Sequence, residues 1–435
     1  MTTGEAAIAA NEADRALERL RNFHHVVLAV SGGPDSLALL ALVAEWRARL
    51  GNAAPTVSVA TVDHGLREQS AIEAQMVARV AADYGLPHTT LDWIGAKPTS
   101  GVPDAARTAR YALLHDHALA LSNGQSAAVV TAHHQDDQAE TFFMRLMRGG
   151  GVTALAAMPD ARRLAGDPDI VLLRPLLSFS KSRLIATLAM RGLSWADDPS
   201  NENTAFERVR VRQALAEAQI DAAALATAAR RMGEAADGLR FAARAFLQVI
   251  GLVNDRNIYA RFDRAAFDDG PVILRQMVLE HLIAHFGGAT RRPELSEIET
   301  LGQRFIARAP FTVTLGGAVI SAGSRYVRLW RETGRIEATP LVLQAGLPAR
   351  WDERFMVSVE GSRSSIIVKP LGPSQADDFV PQGTKDILRA ALAGVPAFYD
   401  GATVIGVPIL TNPEGRQTVA EGVQLTSEPI PMAPL

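Results

Sequence analysis

Residues 26–36, VVLAVSGGPDS, join a short apolar run to a glycine-rich turn. The apolar run, Val26 to Val30, is typical of a strand that is buried on both faces of a parallel sheet. After the turn, Leu39, Val43 and Trp46 recur at helical spacing. The stretch therefore predicts a strand, a tight turn and a helix in succession, which is the repeating unit of an α/β fold.

The turn itself predicts an anion-binding site. A glycine-rich turn before a helix presents free backbone N–H groups and the positive end of the helix dipole, so it suits a phosphate. The lysine of a Walker-type loop and the GxGxxG dinucleotide pattern are both absent. The remaining SGGxDS pattern resembles the pyrophosphate-binding loop of enzymes that split ATP between its α and β phosphates. The predicted nucleotide-binding residues of the turn are Ser31, Gly32, Gly33, Pro34, Asp35 and Ser36. The alternative is a Gly-Gly turn before a helix-capping serine.

Further apolar runs alternate with helical patterns as far as Gly192, which predicts a doubly wound parallel sheet. The later strands are predicted at residues 57–63, 89–93, 127–132 and 170–177, and the later helices at 72–84, 104–121 and 180–191. Ligands bind such sheets at the carboxyl ends of the strands. Polar clusters at those ends are therefore the candidates for a functional site.

Composition limits the class of protein without naming a function. The chain has 435 residues, of which 48% are hydrophobic, and this allows two or three globular domains. A net charge of −3 gives no overall nucleic-acid signature, so RNA contacts must come from local basic patches. With no cysteine, no secretory pattern and no membrane-length apolar run, we expect a cytoplasmic protein without a membrane partner.

Two polar clusters follow predicted strands. The first, TVDHGLR at residues 61–67, brings an acid, an imidazole and a guanidinium to one strand end, and it is either a ligand rim or a solvated turn. The second, residues 131–141, contains two histidines and two aspartates, with Glu140 one helical turn beyond Asp137. It could bind Mg²⁺ or supply a base, or Asp136 could only cap a helix. Zinc is disfavoured because HExxH and cysteine are absent.

Basic pairs on two predicted helices form a third cluster. Arg107 and Arg110 share one helix face, and Arg145 and Arg148 share another, before a run of three glycines. Such arginines are either solvated or clamp the phosphates of ATP or of an RNA backbone.

Six segments, taken in order, resemble the tRNA(Ile)-lysidine synthetase family. They are SGGPDS, VDHGLR, ARTARYALL, TAHHQDDQAETFFMRLMRGGG, RPLLSFSKSRL and DDPSN, and the match spans about residues 26–212. The resemblance implies an enzyme that adenylates carbon-2 of the wobble cytidine in a CAU anticodon. The ε-amine of free lysine then displaces AMP and forms lysidine. One departure is Val209, where many relatives have asparagine.

The resemblance also implies cofactors, partners and roles. ATP and Mg²⁺ are the cofactors, and the partners are tRNA(Ile) with a CAU anticodon and free L-lysine. The implied catalytic residues are Asp35, Arg110, His133, Asp136 and Asp137, with Asp35 and Asp136 as Mg²⁺ ligands. The implied nucleotide contacts outside the turn are Asp63, His64 and Arg107. Asp136 and Asp137 are the candidates for taking a proton from lysine.

Beyond residue 212 the pattern changes to long alanine-rich helices and then short strands. A helix is predicted over 213–247, and basic residues concentrate between 291 and 331 around Tyr326, as either a tRNA contact or scattered surface charge. We predict a catalytic domain at residues 1–215, a helical tRNA-binding domain with short terminal strands at 216–333, and a small β-rich α+β domain at 340–435 that contacts tRNA. The oligomeric state stays open, with a homodimer among the alternatives.

Two other functions compete with this interpretation. One is a different ATP-pyrophosphatase that modifies tRNA, such as a thiolase, although sulfur transfer in those relatives generally uses cysteine and this chain has none. The other is a tRNA-binding relative that has lost catalysis, which the intact turn and acidic cluster disfavour.

Overall fold

A computed structural model describes most of the chain. The described residues are 5–65, 69–95, 97–98, 100–164, 169–196, 203–288, 293–337, 339–361, 365–379, 386–411, 414–419, 423–433 and 435. They form two compact units, residues 1–236 and 237–435. The three-domain division at residues 215 and 333 stays a prediction. None of the helices in the described ranges has the length and apolarity needed to cross a bilayer.

The first unit is an α/β structure, as the sequence predicts. Its helices and strands are α1 Ala10–Leu17, β1 His25–Ala29, α2 Pro34–Leu50, β2 Thr56–Asp63, α3 Gln69–Asp83, β3 His88–Asp92, α4 Val102–Ser122, β4 Ala127–Val130, α5 Gln135–Met147, α6 Val152–Leu155, β5 Ala161–Arg163, β6 Ile170–Leu173, α7 Lys181–Met190, α8 Glu207–Glu217 and α9 Ala222–Val249, which continues into the second unit. The six-stranded sheet has the order β3-β2-β1-β4-β6-β5. All pairs are parallel except β5 with β6.

Strand β1 is buried on both sides, which explains its unbroken apolar sequence. Val26 and Leu28 lie in a core shared with α2, whereas Val27 lies in a second core with Leu114 of α4. Successive side chains of a strand point to opposite faces, so one apolar run serves both layers of helices. This is why β1 can occupy the middle of the sheet.

The strand order creates a crevice beside β1. Strands β2 and β3 lie on one side of β1, and β4 and β6 lie on the other. The chain therefore reverses its direction of winding between β1 and β4, and the loops that follow these two strands diverge. Residues 31–36 follow β1 and residues 131–134 follow β4, so the glycine-rich turn and the second polar cluster meet at this point.

The second unit contains three antiparallel sheets and several helices. Its elements are β7 Val253–Asp255, β8 Tyr259–Asp263, α10 Arg264–Asp268, α11 Val272–Phe286, α12 Leu295–Ile306, β9 Phe311–Leu315, β10 Ala318–Ala322, β11 Tyr326–Arg331, β12 Leu341–Val342, β13 Ala349–Trp351, β14 Phe355–Glu360, β15 Ile367–Pro370, α13 Pro373–Ala376, α14 Asp386–Leu392, β16 Pro396–Asp400, β17 Thr403–Gly406, α15 Pro408–Thr411, β18 Arg416–Thr418 and β19 Gln424–Pro429. The sheet orders are β7-β8-β11-β10-β9, β12-β15-β16-β17 and β13-β14-β19-β18.

Two element predictions are wrong in extent. The strand predicted over 170–177 ends at Leu173, and the helix predicted over 213–247 is interrupted between α8 and α9. At the interruption Gln219 adopts a φ of 53°, and the carboxylate of Asp221 accepts a hydrogen bond from the N–H of Ala223 at 2.9 Å. A local aspartate therefore starts a new helix inside an alanine-rich pattern that looks continuous.

We predict that Leu28→Ala lowers the free energy of unfolding by about 3 kcal/mol, because it leaves a cavity in the core beside α2. Leu28 has 0% exposure. Urea unfolding followed by circular dichroism measures the change. Ile72→Ala, at a position of 63% exposure in α3, is the matched control and should change stability by less than about 0.5 kcal/mol. Equal losses in the two variants would contradict the assignment of the core.

Candidate active site

The SGGPDS turn is closed by its own serines. The hydroxyl of Ser36 donates to the carbonyl of Gly33 at 2.9 Å and accepts from the N–H of Ser31 at 3.2 Å. Gly32 has a φ of 89°, and a Cβ added there would lie 3.2 Å from Met76, so the position favours glycine. Pro34 is the first residue of α2, where a missing N–H costs nothing. The turn thus holds the start of α2 open toward the crevice.

A buried histidine lies among three carboxylates next to this turn. His134 is 2% exposed. Its Nε2 is 3.4 Å from Asp35 and 3.5 Å from Asp137, and its Nδ1 is 3.5 Å from Asp136. Burial alone would lower the pKa of His134, but the three acids raise it to about 10. The side chain is therefore an imidazolium that joins the first turn of α2 to the first turn of α5.

The two aspartates of α5 have different roles in this arrangement. Asp137 accepts the N–H of His134 at 3.0 Å and so caps the helix, whereas Asp136 accepts the N–H of Lys181 at 2.9 Å. The alternative that Asp136 is the capping residue is therefore wrong. Burial would raise the pKa of Asp136, but His134 and the Lys181 N–H outweigh it and lower that pKa.

His133 has the opposite protonation from its neighbour. Its Nδ1 is 2.8 Å from the hydroxyl of Thr131. Burial, assisted by the positive charge of Arg174 and Arg107, lowers the pKa of His133 to about 3 although Asp137 opposes the shift. His133 is therefore neutral and can donate or accept a hydrogen bond without adding charge.

The end of β2, the turn that follows it and helix α4 form the opposite wall. Asp63 accepts the N–H of Gly65 at 2.7 Å and shapes the turn. His64 accepts from Arg110 at 3.2 Å, and burial followed by the charge of Arg110 lowers the pKa of His64. The Arg107 guanidinium lies 5.1 Å from the ring centre of Tyr111. The structure therefore brings together the histidine of one cluster and an arginine of another.

These walls enclose a cleft of about 930 Å³ and an adjoining cavity of about 290 Å³. The predicted site residues that line one or both are Ser31, Gly33, Pro34, Asp35, Ser36, His64, Arg107, Arg110, His133 and Asp137. Gly32, Asp63 and Asp136 are next to lining residues in the sequence but do not line either space themselves. Arg67 and the DDPSN segment, residues 197–201, fall outside the described residues.

Sequence reasoning missed the contribution of α8. Arg208 and Arg212 are one helical turn apart and both line the cleft. Arg208 lies 3.8 Å from Asp137, and Arg212 donates to Glu140 at 2.7 Å. In a helix the spacing of four places Arg208 and Arg212 on one face. Val209, the departure from the family pattern, is buried at 8% exposure.

Two arginines of the third cluster have structural partners. Arg145 donates to the carbonyls of Ala154 and Ala157 at 2.7 and 2.6 Å, and Arg148 pairs with Glu207. Neither lines the cleft, in contrast to Arg107 and Arg110. Arg107 and Arg110 therefore stay candidates for a phosphate contact, whereas Arg145 and Arg148 contact groups of the protein.

Comparison with known proteins agrees with this geometry. Residues 6–219 match the family model described as a PP-loop domain, so the first unit is of the PP-loop, ATP-binding class. The chain is 40% identical to the tRNA(Ile)-lysidine synthase of Bradyrhizobium sp. strain BTAi1, over 76% of this chain and 97% of the relative. The enzyme of that name from Ruegeria pomeroyi is 37% identical over 88% of both chains, and that from Brucella suis is 35% identical over 91% and 88%. The chain belongs to the tRNA(Ile)-lysidine synthase family.

We predict opposite pH dependences from the two adjacent histidines. A raised pKa makes the stabilisation by His134 complete below pH 6.5 and lost as the pH rises toward 10. A lowered pKa makes the stabilisation by neutral His133 complete above pH 6.5 and lost as the pH falls toward 3. Each slope is at most about 1.4 kcal/mol per pH unit.

Unfolding free energies of the ATP-free protein between pH 5 and pH 9 measure both slopes. His134→Gln should reduce the pH dependence of the unfolding free energy only above pH 6.5. His133→Gln should reduce it only below pH 6.5. If a variant changes the pH dependence of the unfolding free energy in the other pH range, the protonation state of the replaced histidine is assigned incorrectly.

Proposed function

We propose that the protein ligates free L-lysine to carbon-2 of the wobble cytidine of CAU-anticodon tRNA(Ile). The observation that carries this proposal is the meeting of the SGGPDS turn with the acidic cluster around His134, in a chain of the lysidine synthase family. In the first step the cytosine O2 bonds to the α-phosphorus of ATP and pyrophosphate leaves. In the second step the lysine amine bonds to carbon-2, and AMP leaves with that oxygen.

The nucleotide is expected along the crevice between β1 and β4. The turn and the N-terminus of α2 supply N–H groups for the pyrophosphate, and Arg107 and Arg110 add positive charge. The adjoining cavity has apolar walls that include Val30, Val62 and Leu114, which suit the adenine ring. These groups stabilise the charge that develops on the departing pyrophosphate.

The residues present fit a Mg²⁺ ion that is held mainly by phosphates. The Oδ1 atom of Asp35 is buried and has no hydrogen-bond partner among the described residues. The described residues contain no group of three or more side chains arranged to hold a metal. Mg²⁺ commonly uses one or two carboxylates together with substrate phosphates, so Asp35, with Asp136 behind it, is a sufficient protein contribution. When bound, the ion supplies charge neutralisation for the pyrophosphate.

Acidic groups beside α8 suit the lysine substrate. Glu140 is 2% exposed, and its Oε2 has no hydrogen-bond partner in the described part of the chain. Arg212 contacts only the other oxygen of Glu140. A buried carboxylate oxygen of this kind attracts an ammonium group, and Asp137 or Asp136 can take the proton that the amine must lose before it attacks. We therefore place lysine between α5 and α8.

The test is incorporation of labelled lysine into unmodified CAU-anticodon tRNA(Ile) with ATP and Mg²⁺. Wild type should label this tRNA and release AMP and pyrophosphate. Asp137→Asn and Asp136→Asn should each lower the rate at least tenfold, because they remove the proton acceptors. Asp160→Asn, at an exposed position that pairs with Arg19, is the matched control and should keep full activity.

Three results would contradict the proposal in different ways. Full lysine transfer by both aspartate variants would show that neither Asp136 nor Asp137 takes the proton from lysine. ATP binding without lysine transfer would favour another tRNA-modifying PP-loop enzyme or a non-catalytic relative. Labelling of tRNA(Met) at the same rate would remove the proposed substrate specificity.

We place one tRNA contact on the five-stranded sheet of the second unit. The guanidinium groups of Arg261, Arg325 and Arg328 lie 5.0–5.5 Å from the ring centre of Tyr326. Arg261 and Arg328 are directly opposite on β8 and β11, where like charges are destabilising. Within the described ranges these three arginines form no ion pair with a carboxylate, so the patch complements an RNA backbone. Arg331 is different, because it is buried against Asp352.

We expect the double variant Arg261→Gln, Arg328→Gln to weaken tRNA binding about tenfold and to reduce the salt slope of log K by about two. Filter binding at several salt concentrations measures both quantities. Arg335→Gln removes one exposed charge outside the patch and should have little effect. Unchanged affinity and slope in the double variant would exclude this surface as a tRNA contact.

A further inference from the structure

The segment before α1 reaches the start of α7, a helix whose first residues contact the catalytic cluster. The carboxylate of Glu5 accepts from the hydroxyl of Ser182 at 2.7 Å and from the hydroxyl of Ser180. Ser180 is the N-cap of α7, and its oxygen also accepts the N–H of Arg183. Glu5 thus holds the two serines of the first turn, at the positive end of the helix dipole, where a carboxylate is stabilising.

The same turn is joined to α5 by one backbone-to-side-chain and one backbone–backbone hydrogen bond. The N–H of Lys181 donates to Asp136 at 2.9 Å, and the N–H of Gln135 donates to the carbonyl of Phe179 at 2.9 Å. Asp136 lies 3.5 Å from Nδ1 of His134, and the side chain of Lys181 lines the cleft. A displacement of the first turn of α7 therefore moves the carboxylate of Asp136.

Other contacts anchor the segment without involving Ser180, Lys181 or Ser182. Ile8 is 1% exposed, and its N–H donates to Thr187 at 2.9 Å. Arg183 donates to the carbonyl of Ala6 and forms a two-pronged ion pair with Glu12 at 3.0 and 2.6 Å. The segment stays attached when Glu5 is replaced, so the contribution of Glu5 can be separated from general stability.

We propose that Glu5 is a positioning residue for the ligation: its carboxylate fixes the first turn of α7 and, through that turn, Asp136. This inference rests on the proposed function, because it assigns a consequence for the same cleft. Displacement of a reacting group by a fraction of an ångström is enough to lower the rate of a chemical step without changing substrate affinity.

The experiment compares Glu5→Ala with Glu12→Ala in the full chain. Glu5→Ala should lower kcat for lysine incorporation about tenfold and leave KM for tRNA unchanged. Glu12→Ala breaks the ion pair between α1 and Arg183, so it should lower the thermal midpoint at least as much but keep kcat. Glu5→Gln retains one acceptor for a serine hydroxyl and should recover most of kcat.

A second readout does not depend on activity. Amide hydrogen exchange in peptides that cover residues 179–186 should become faster in Glu5→Ala than in Glu12→Ala, because only the first variant removes the contacts of Ser180 and Ser182. Equal kcat values in the two variants, or equal exchange rates, would overturn the positioning role. Wild-type protein that incorporates no lysine would instead refute the proposed function, and the exchange comparison would still decide whether Glu5 fixes the turn.

Discussion

The ion cluster of His134 with Asp35, Asp136 and Asp137 is the constraint on which the site depends. The imidazolium of His134 is buried at the ends of two adjacent strands, where its charge would be unfavourable without the three partly exposed carboxylates around it. Because Asp35 belongs to α2 and the two other acids to α5, the cluster fixes the starts of both helices relative to each other. The glycine-rich turn and the acidic residues of α5 are therefore held in a fixed relation to each other.

Contacts from two further helices, α7 and α8, hold the acidic residues of this cluster in place. α7 contributes a backbone N–H to Asp136, and α8 contributes arginines to Asp137 and Glu140. The adjacent histidines differ in charge, since His134 is an imidazolium among three carboxylates and His133 is a neutral ring that lines the smaller cavity. Two residues with the same side chain thus have different chemistry because only one of them touches three acids.

The sequence predicted the parallel sheet and the site at its carboxyl edge because both depend on local patterns. Each of these patterns can be identified from a few consecutive residues. They are the apolar run of β1, the turn at residues 31–36 and the polar residues after β4. Arg208, Arg212 and Glu5 could not be found in this way. Their partners Thr141, Glu140 and Ser180 lie 67, 72 and 175 residues away, and no local pattern encodes such contacts. The same reason hid the short antiparallel strand β5, whose identity depends on its pairing with β6.

Helix α8 lies outside the parallel-sheet fold but contributes side chains to the cleft. It contributes no strand and no part of the β-sheet core, and it follows the last strand of the sheet by more than thirty residues. A fragment that ends at residue 206 would contain every strand of the parallel sheet and the complete phosphate-binding turn. It would nevertheless lack both arginines that face Asp137 and Glu140. The architectural boundary of the nucleotide-binding fold and the chemical boundary of the enzyme are therefore different places in the chain.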